Sequence, residues 1–330
     1  MRKISPFPNP IASWFDMASE ISASFLAVAP SMTPDSPPMT ESHESHCLFV
    51  ADSAPRRRAP MVVMLHGAWQ DPVDFAAGTA MNAAAERHGF VVLYPAQSAR
   101  HNAQQCWNWF DAAHQSRTRG EPARLTSLTS EVARDLHVDP DRIYVAGLSA
   151  GGAMAALLGD LFPDIYSAVG VHSGLAALAG TDLSSGLAAM RGSERAETAP
   201  TGMPTIVFHG DMDIIVNPIN GRQVMEASFG SNSIKETRQH VGYEGRGFTR
   251  REYVGADEIV YGEHWILHEG GHAWSGGRKA GSYADPLGPD ASEQMLRFFK
   301  QRRRPATALH GGVMLSEISP YFQGAAPTIS

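Results

Sequence analysis

Ser149 stands in Gly147-Leu148-Ser149-Ala150-Gly151, a setting in which a side-chain alcohol can be turned into a nucleophile. Residues 142–146 before it form an apolar run of strand type, and residues 150–158 after it are small and apolar, as in a packed helix. A serine at such a junction occupies a tight, strained turn, where a Cβ on either flanking glycine would collide with adjacent backbone. The five residues alone are a weak signal because glycine and serine are abundant here; the strand and helix around them give the motif its weight. An alcohol is a poor nucleophile at neutral pH, so it needs a general base, and the base needs an orienting carboxylate.

Both occur downstream. The run Thr205-Ile206-Val207-Phe208 leads into His209-Gly210-Asp211-Met212-Asp213, placing two carboxylates at the end of a strand. Their i, i+2 spacing in an extended loop leaves either able to face the base. Further on, Gly270-Gly271-His272-Ala273-Trp274 presents a glycine-flanked histidine in a loop past another strand. Of the fourteen histidines, His66, His172 and His209 end strands and fit turn roles, while His268 remains the alternative base, on a strand where its side chain should pack. His264, His268 and His272 repeat every four residues as helical zinc ligands would, but Gly270-Gly271 opposes a helix and no cysteine is near. No metal and no organic cofactor is expected. Acyl transfer also needs donors for an oxyanion: the amide of Ala150, next after the serine, and that of Ala68, which follows the run Met61-Val62-Val63-Met64-Leu65-His66-Gly67.

Positioning these groups requires a layered scaffold, and the chain alternates short apolar runs with helical stretches. Strands are expected at 47–50, 61–65, 90–94, 142–146, 168–172, 204–208, 250–254 and 264–268, and helices at 74–88, 125–137, 150–161, 220–229 and 290–301. Residues 61–65, 90–94 and 142–146 are nearly unbroken apolar runs, as strands covered on both faces must be. Asp290 should cap the last helix, with Glu293 bonding back to the cap amide. The fold class is α/β, with a mostly parallel central sheet flanked by helices on both faces. The order Ser, Asp, His around an elbow serine is that of the α/β-hydrolase fold. The catalytic domain should span 40–302. Before it, residues 1–39 hold a possible amphipathic helix and a proline-rich linker; after it, residues 303–330 form a mobile tail, and residues 174–203 read as a loop or small cap.

Composition narrows the partners. A net charge of −7 gives no general attraction to nucleic acid or anionic membranes, and Arg56-Arg57-Arg58 and Arg302-Arg303-Arg304 read as solvated surface charge. No apolar run is long enough to span a bilayer. Asp16 and Glu20 interrupt the apolar stretch that a secretory signal would need, which favours the cytoplasm, with secretion as the alternative. Two cysteines, Cys47 and Cys106, make no disulfide framework. The expected partner is a small-molecule or oligomeric ester, and oligomeric state is not fixed by the sequence.

With these elements placed, the chain resembles the polyhydroxybutyrate-depolymerase family of esterases, related to feruloyl and acetylxylan esterases. The resemblance runs from about residue 48 to residue 302, through Leu65-His66-Gly67, Phe75-Ala76-Ala77-Gly78-Thr79, Tyr94-Pro95, Cys106-Trp107-Asn108-Trp109-Phe110, Gly147 to Met154, Phe208 to Asp213 and Gly271 to Gly277. It implies that Asp213 is the carboxylate, by the pattern His-Gly-x-x-Asp, and that His272 is the base. It also implies a substrate-facing aromatic block, from which Trp107, Trp109 and Trp274 are expected to bind substrate, although on bare sequence these rings could equally be core. Many members carry a cysteine where this chain has Ala68, so Cys106 lacks the disulfide partner relatives would supply. The implied activity is a serine esterase acting on short hydroxyalkanoate esters or oligomers. Feruloyl or acetylxylan esters, or acyl transfer by the same groups, are the alternatives.

Overall fold

The structure, a computed structural model, describes residues 40–42, 46–193, 199–229, 236–242 and 245–304. The expected helix and linker of residues 1–39 and the tail beyond residue 304 lie outside them. Three apolar runs become the middle of the sheet: β3 (Met61–Leu65), β4 (Val91–Pro95) and β5 (Ile143–Leu148), in which every residue is buried. They are covered on both faces because neither face carries polar side chains that would need water. Together with β1 (Thr40–Ser42), β2 (His46–Val50), β6 (Ala168–His172), β7 (Thr205–Gly210), β8 (Glu236–Gly242), β9 (Phe248–Val254) and β10 (Val260–Leu267) they form one sheet. Its order is β1-β2-β4-β3-β5-β6-β7-β10-β9-β8. Pairing is parallel from β4 through β10 and antiparallel at both ends.

Alternation along the central strands divides the core. Val63, Val145, Val171 and Val207 point to one face, under α3 (Gly120–Asp135), α4 (Ala150–Leu161) and α6 (Ile219–Phe229). Val62, Tyr144, Ile206 and Phe208 point to the other, under α1 (Pro72–Thr79), α2 (Met81–His88) and α7 (Ala291–Lys300). There Tyr144 stacks on Phe299 with ring centroids 4.9 Å apart and planes 3° from parallel. The chain is an α/β-hydrolase fold. After β3 the strand order reverses: β4 lies on one side of β3 and β5 on the other, with Leu65 opposite Gly147. Such a switch point opens a crevice at the carboxyl ends of the strands, here between the ends of β3 and β5.

Several expected elements shift. The helix expected over 74–88 is two, α1 and α2, broken at Ala80, whose φ of 52° ends the first with an αL residue. The helix expected from 125 begins at Gly120. The loop expected over 174–203 contains α5 (Leu183–Met190), capped by Asp182. Strand β8, absent from the sequence reading, pairs with β9 at the sheet edge. Asp290 does cap α7 through the Glu293 amide, but Glu293 turns its carboxylate to Arg87 and His88 instead of to the cap. The two arginine runs are also not simply solvated. Arg58 and Arg303 both pair with buried Asp139, Arg304 pairs with Asp141, and Arg302 lies over Phe298, so the start of the expected mobile tail is anchored.

Candidate active site

Ser149 joins β5 to α4 with φ 56° and ψ −119°, a left-handed turn that a side chain adopts only under constraint. The constraint comes from its neighbours. A Cβ on Gly151 would fall on the Leu65 carbonyl oxygen, and one on Gly147 would lie 2.6 Å from that same atom. Only glycines let α4 start this close to the end of β3. The Ser149 amide is tied to the His172 carbonyl at 2.9 Å, and its carbonyl accepts from Ala153 to begin the helix. The half-buried hydroxyl has no hydrogen-bond partner among the described residues. No hydrogen bond joins Ser149 to His272 in this structure.

The turn after β3 lies beside the serine: a Cβ on Gly67 would be 3.6 Å from Ser149 Cβ. Three bonds fix this turn. His66 Nδ1 donates to the Gly67 carbonyl, the Gly67 amide to Gln70 Oε1, and Trp107 Nε1 to the His66 carbonyl at 3.0 Å. Among the described residues the Ala68 amide has no acceptor, and the Ala150 amide sits at the first position of α4, where no intrahelical acceptor exists. The amides of Ala150, next after Ser149, and of Ala68, next after Gly67, are thus both uncommitted among the described residues.

At the end of β7, Asp213 turns inward and is 5% exposed. Its Oδ1 accepts from the Ile215 and Val216 amides, both at 2.9 Å, and its Oδ2 meets His272 Nδ1 at 2.7 Å. Burial pushes the carboxyl up, but the His272 charge and hydrogen bond, with the His209 imidazole close by, outweigh burial and hold Asp213 well below the usual carboxylate range. Asp211 faces the other way and accepts the Glu269 amide at 2.7 Å. It staples the loop after β7 to the loop after β10, aided by the Met212 amide on the Gly270 carbonyl. A Cβ on Gly210 would strike the Gly270 carbonyl, so the close approach of these loops depends on glycine. His268, the alternative base, bonds Thr249 Oγ1 at 2.9 Å through Nε2 and makes no ion pair with either aspartate.

Two buried histidines, given turn roles on sequence alone, stand behind this pair. His172 is sandwiched between Phe208 and Trp274, and its Nε2 accepts the Ser275 amide at 2.9 Å, tying β6 to the His272 loop. Burial, together with the charges of His209 and His272, holds its pKa far below the ordinary value, so it is a neutral acceptor. His209, expected to fill a turn role, sits on β7 with Nε2 3.4 Å from Asp213 Oδ2. The signal for it is present in the sequence as a His–Asp pair four residues apart where a strand ends.

The three tryptophans expected to face substrate require a correction. Trp107 and Trp274 are 0% and 1% exposed, and their indole N–H groups are spent on the His66 carbonyl and Ser292 Oγ. Trp109, 5% exposed, packs edge-on against Phe110. Rings this large gain most by full burial when a polar partner meets their one donor, and here they hold the site's loops from beneath. Nor do the described residues contain a cluster of ligating side chains that would suit a metal ion. None of their helices is long and apolar enough to cross a membrane.

Comparison with known proteins bears on the family and the fold. The profile of the family described as Esterase PHB depolymerase matches residues 44–252. Poly(3-hydroxyalkanoate) depolymerase C of Paucimonas lemoignei is 27% identical over 230 residues, covering 65% of this chain and 55% of that protein. Feruloyl esterase B of Thermothelomyces thermophilus is 26% identical over 216 residues, covering 59% of this chain and 72% of that one. The chain thus spans about half the length of the depolymerase it matches. Among solved structures, an acetyl xylan esterase from Aspergillus awamori superposes with a TM-score of 0.59 at 14% identity, over 77% of this chain and 93% of that one. The superposition speaks for the fold alone.

Proposed function

We propose, from the premise that the chain belongs to the PHB depolymerase family of esterases and is a carboxylic ester hydrolase, that it works through an acyl-enzyme formed on Ser149. The observation that carries this reading is a strained serine at the switch point of the sheet, on the same rim as a buried carboxylate 2.7 Å from the imidazole of His272. Ser149 Oγ attacks the ester carbonyl carbon while its proton passes to His272, held in the required tautomer by Asp213. The Ala68 and Ala150 amides receive the negative charge that develops on the carbonyl oxygen. The C–O bond to the alcohol then breaks, His272 returning the proton to the leaving oxygen, and a water activated by His272 releases the acid and restores the serine.

For substrate we favour short hydroxyalkanoate esters or their oligomers, following the depolymerase relative. Feruloyl or acetyl esters of polysaccharide are the second reading, favoured by the feruloyl esterase relative, and parallel release assays separate the two. Transfer to a second alcohol instead of water would show as ester formation when glycerol is added. A cytoplasmic location belongs to the same proposal, with secretion as its alternative, and cell fractionation decides it. The catalytic assignment is tested directly by Ser149→Ala, which should lower kcat on p-nitrophenyl butyrate by on the order of 10³ to 10⁶ with the fold intact. A fluorophosphonate probe should label Ser149 and no other serine; wild-type turnover in the variant would remove the assignment.

A further inference from the structure

Asp213 Oδ2 meets a second imidazole besides that of His272. His209 is 1% exposed, and its Nε2 lies 2.9 Å from the Val216 carbonyl oxygen, a contact that requires the proton on Nε2. That same N–H is 3.4 Å from Asp213 Oδ2, the oxygen His272 contacts. The Nδ1 of His209 is therefore a bare lone pair, and it is buried without a partner among the described residues.

Behind it lies His264 on β10, 3% exposed, with both ring nitrogens also unpartnered. The two rings meet at Gly221 in α6. A Cβ on Gly221 would lie 2.8 Å from His264 Nε2 and 3.2 Å from His209 Nδ1. A glycine inside a helix is disfavoured relative to alanine, and here it is what admits both rings. Burial, with the charges of His209 and Arg251, drives the His264 pKa down to about 3, so at neutral pH it carries one ring proton and one lone pair. Neither ring finds a hydrogen-bond partner on this side among the described residues, so the two are held by packing in the space that Gly221 leaves.

We propose that His209, backed by His264 across Gly221, is a positioning residue that holds Asp213 in the orientation His272 requires. This rests on the triad reading above. The His209 N–H is donated to the Val216 carbonyl, and the Val216 amide in turn holds Asp213 Oδ1, so His209 fixes the turn that carries the carboxylate while its ring stands 3.4 Å from Oδ2. A misplacement of about 1 Å in such a constellation costs up to roughly 10²-fold in rate.

The test uses the full chain with p-nitrophenyl butyrate and compares His209→Phe, His209→Gln and Gly221→Ala with wild type, with thermal unfolding recorded for each. His209→Phe keeps ring volume and removes the donor, and should lower kcat roughly ten- to hundredfold while KM stays within about twofold. His209→Gln, whose amide nitrogen reaches the Nε2 position, should recover much of the loss. Gly221→Ala pushes on both rings and should lower kcat despite its gain in helix propensity. A folded His209→Phe with kcat within about twofold of wild type overturns the proposal, as does a loss of kcat that Gln does not relieve and that tracks lowered stability. If His209→Phe does not fold, a folded Gly221→Ala with unchanged kcat overturns it instead. Ser149→Ala in the same series separates the two ideas: its activity retained sinks the triad reading, whereas its activity lost beside an intact His209→Phe sinks only this one.

Discussion

Asp211 and Asp213 leave β7 two residues apart and do different work because the loop turns between them. Asp213 is buried against the Ile215 and Val216 amides and His272, whereas Asp211 spends its carboxylate on the Glu269 amide at the surface. Asp213→Asn should therefore cost kcat about 10⁴-fold, since an amide no longer fixes the imidazole tautomer. Asp211→Ala should cost less than about tenfold, because the Met212 amide still holds the same two loops together. Steady-state kinetics of both variants on p-nitrophenyl butyrate check the contrast; equal losses would mean that the roles have been misread. The tryptophans teach a related point at this scale. Trp107, Trp109 and Trp274 look the same in sequence whether they face substrate or core, and only their burial in the folded chain distinguishes the two.

The joint between β5 and α4 is the element on which the site depends. It brings helix backbone against the end of β3, so Gly147→Ala and Gly151→Ala should each prevent folding, with the chain recovered as insoluble or protease-sensitive material. Gly271, beside the proposed base, has nothing within 4 Å of where a Cβ would stand, and Gly271→Ala should express and melt like wild type. Limited proteolysis and thermal melts of the three variants test this, and a well-folded Gly151→Ala would contradict the packing described. The same element scale shows where pattern reading stops. The break falls on Ala80, an ordinary helix former, with Gly78 still inside the helix before it, and α5 hides in a stretch rich in Gly, Ala and Ser. Strand β8 lies at the sheet edge, where burial imposes little pattern on a sequence.

Across the whole molecule, buried imidazoles make stability depend on pH. His264 titrates near 6.5 when exposed, but burial lowers it to about 3 in the folded chain. The unfolded chain thus takes up a proton that the folded chain refuses, and stability falls as pH drops from about 6.5 toward about 3, by roughly 1.4 kcal/mol per pH unit for one such group. His172 and His66 shift in the same direction, and Asp213, held low, adds to the loss once pH falls below its ordinary value of 3.8. Unfolding followed from pH 8 to pH 4 should show this decline, and His264→Leu should flatten it by about one proton; an unchanged slope would assign the proton uptake elsewhere. The sequence by itself determined the class of fold, the central strands, the elbow serine and the order in which its candidate partners follow. Those features are written in short-range hydrophobic pattern and in turns that only glycine permits. Tertiary structure decided which aspartate meets His272, which way the tryptophans face, and that His172, His209 and His264 gather behind the site. Each of these depends on strands far apart in sequence lying side by side in register, and a local pattern carries no record of its neighbour.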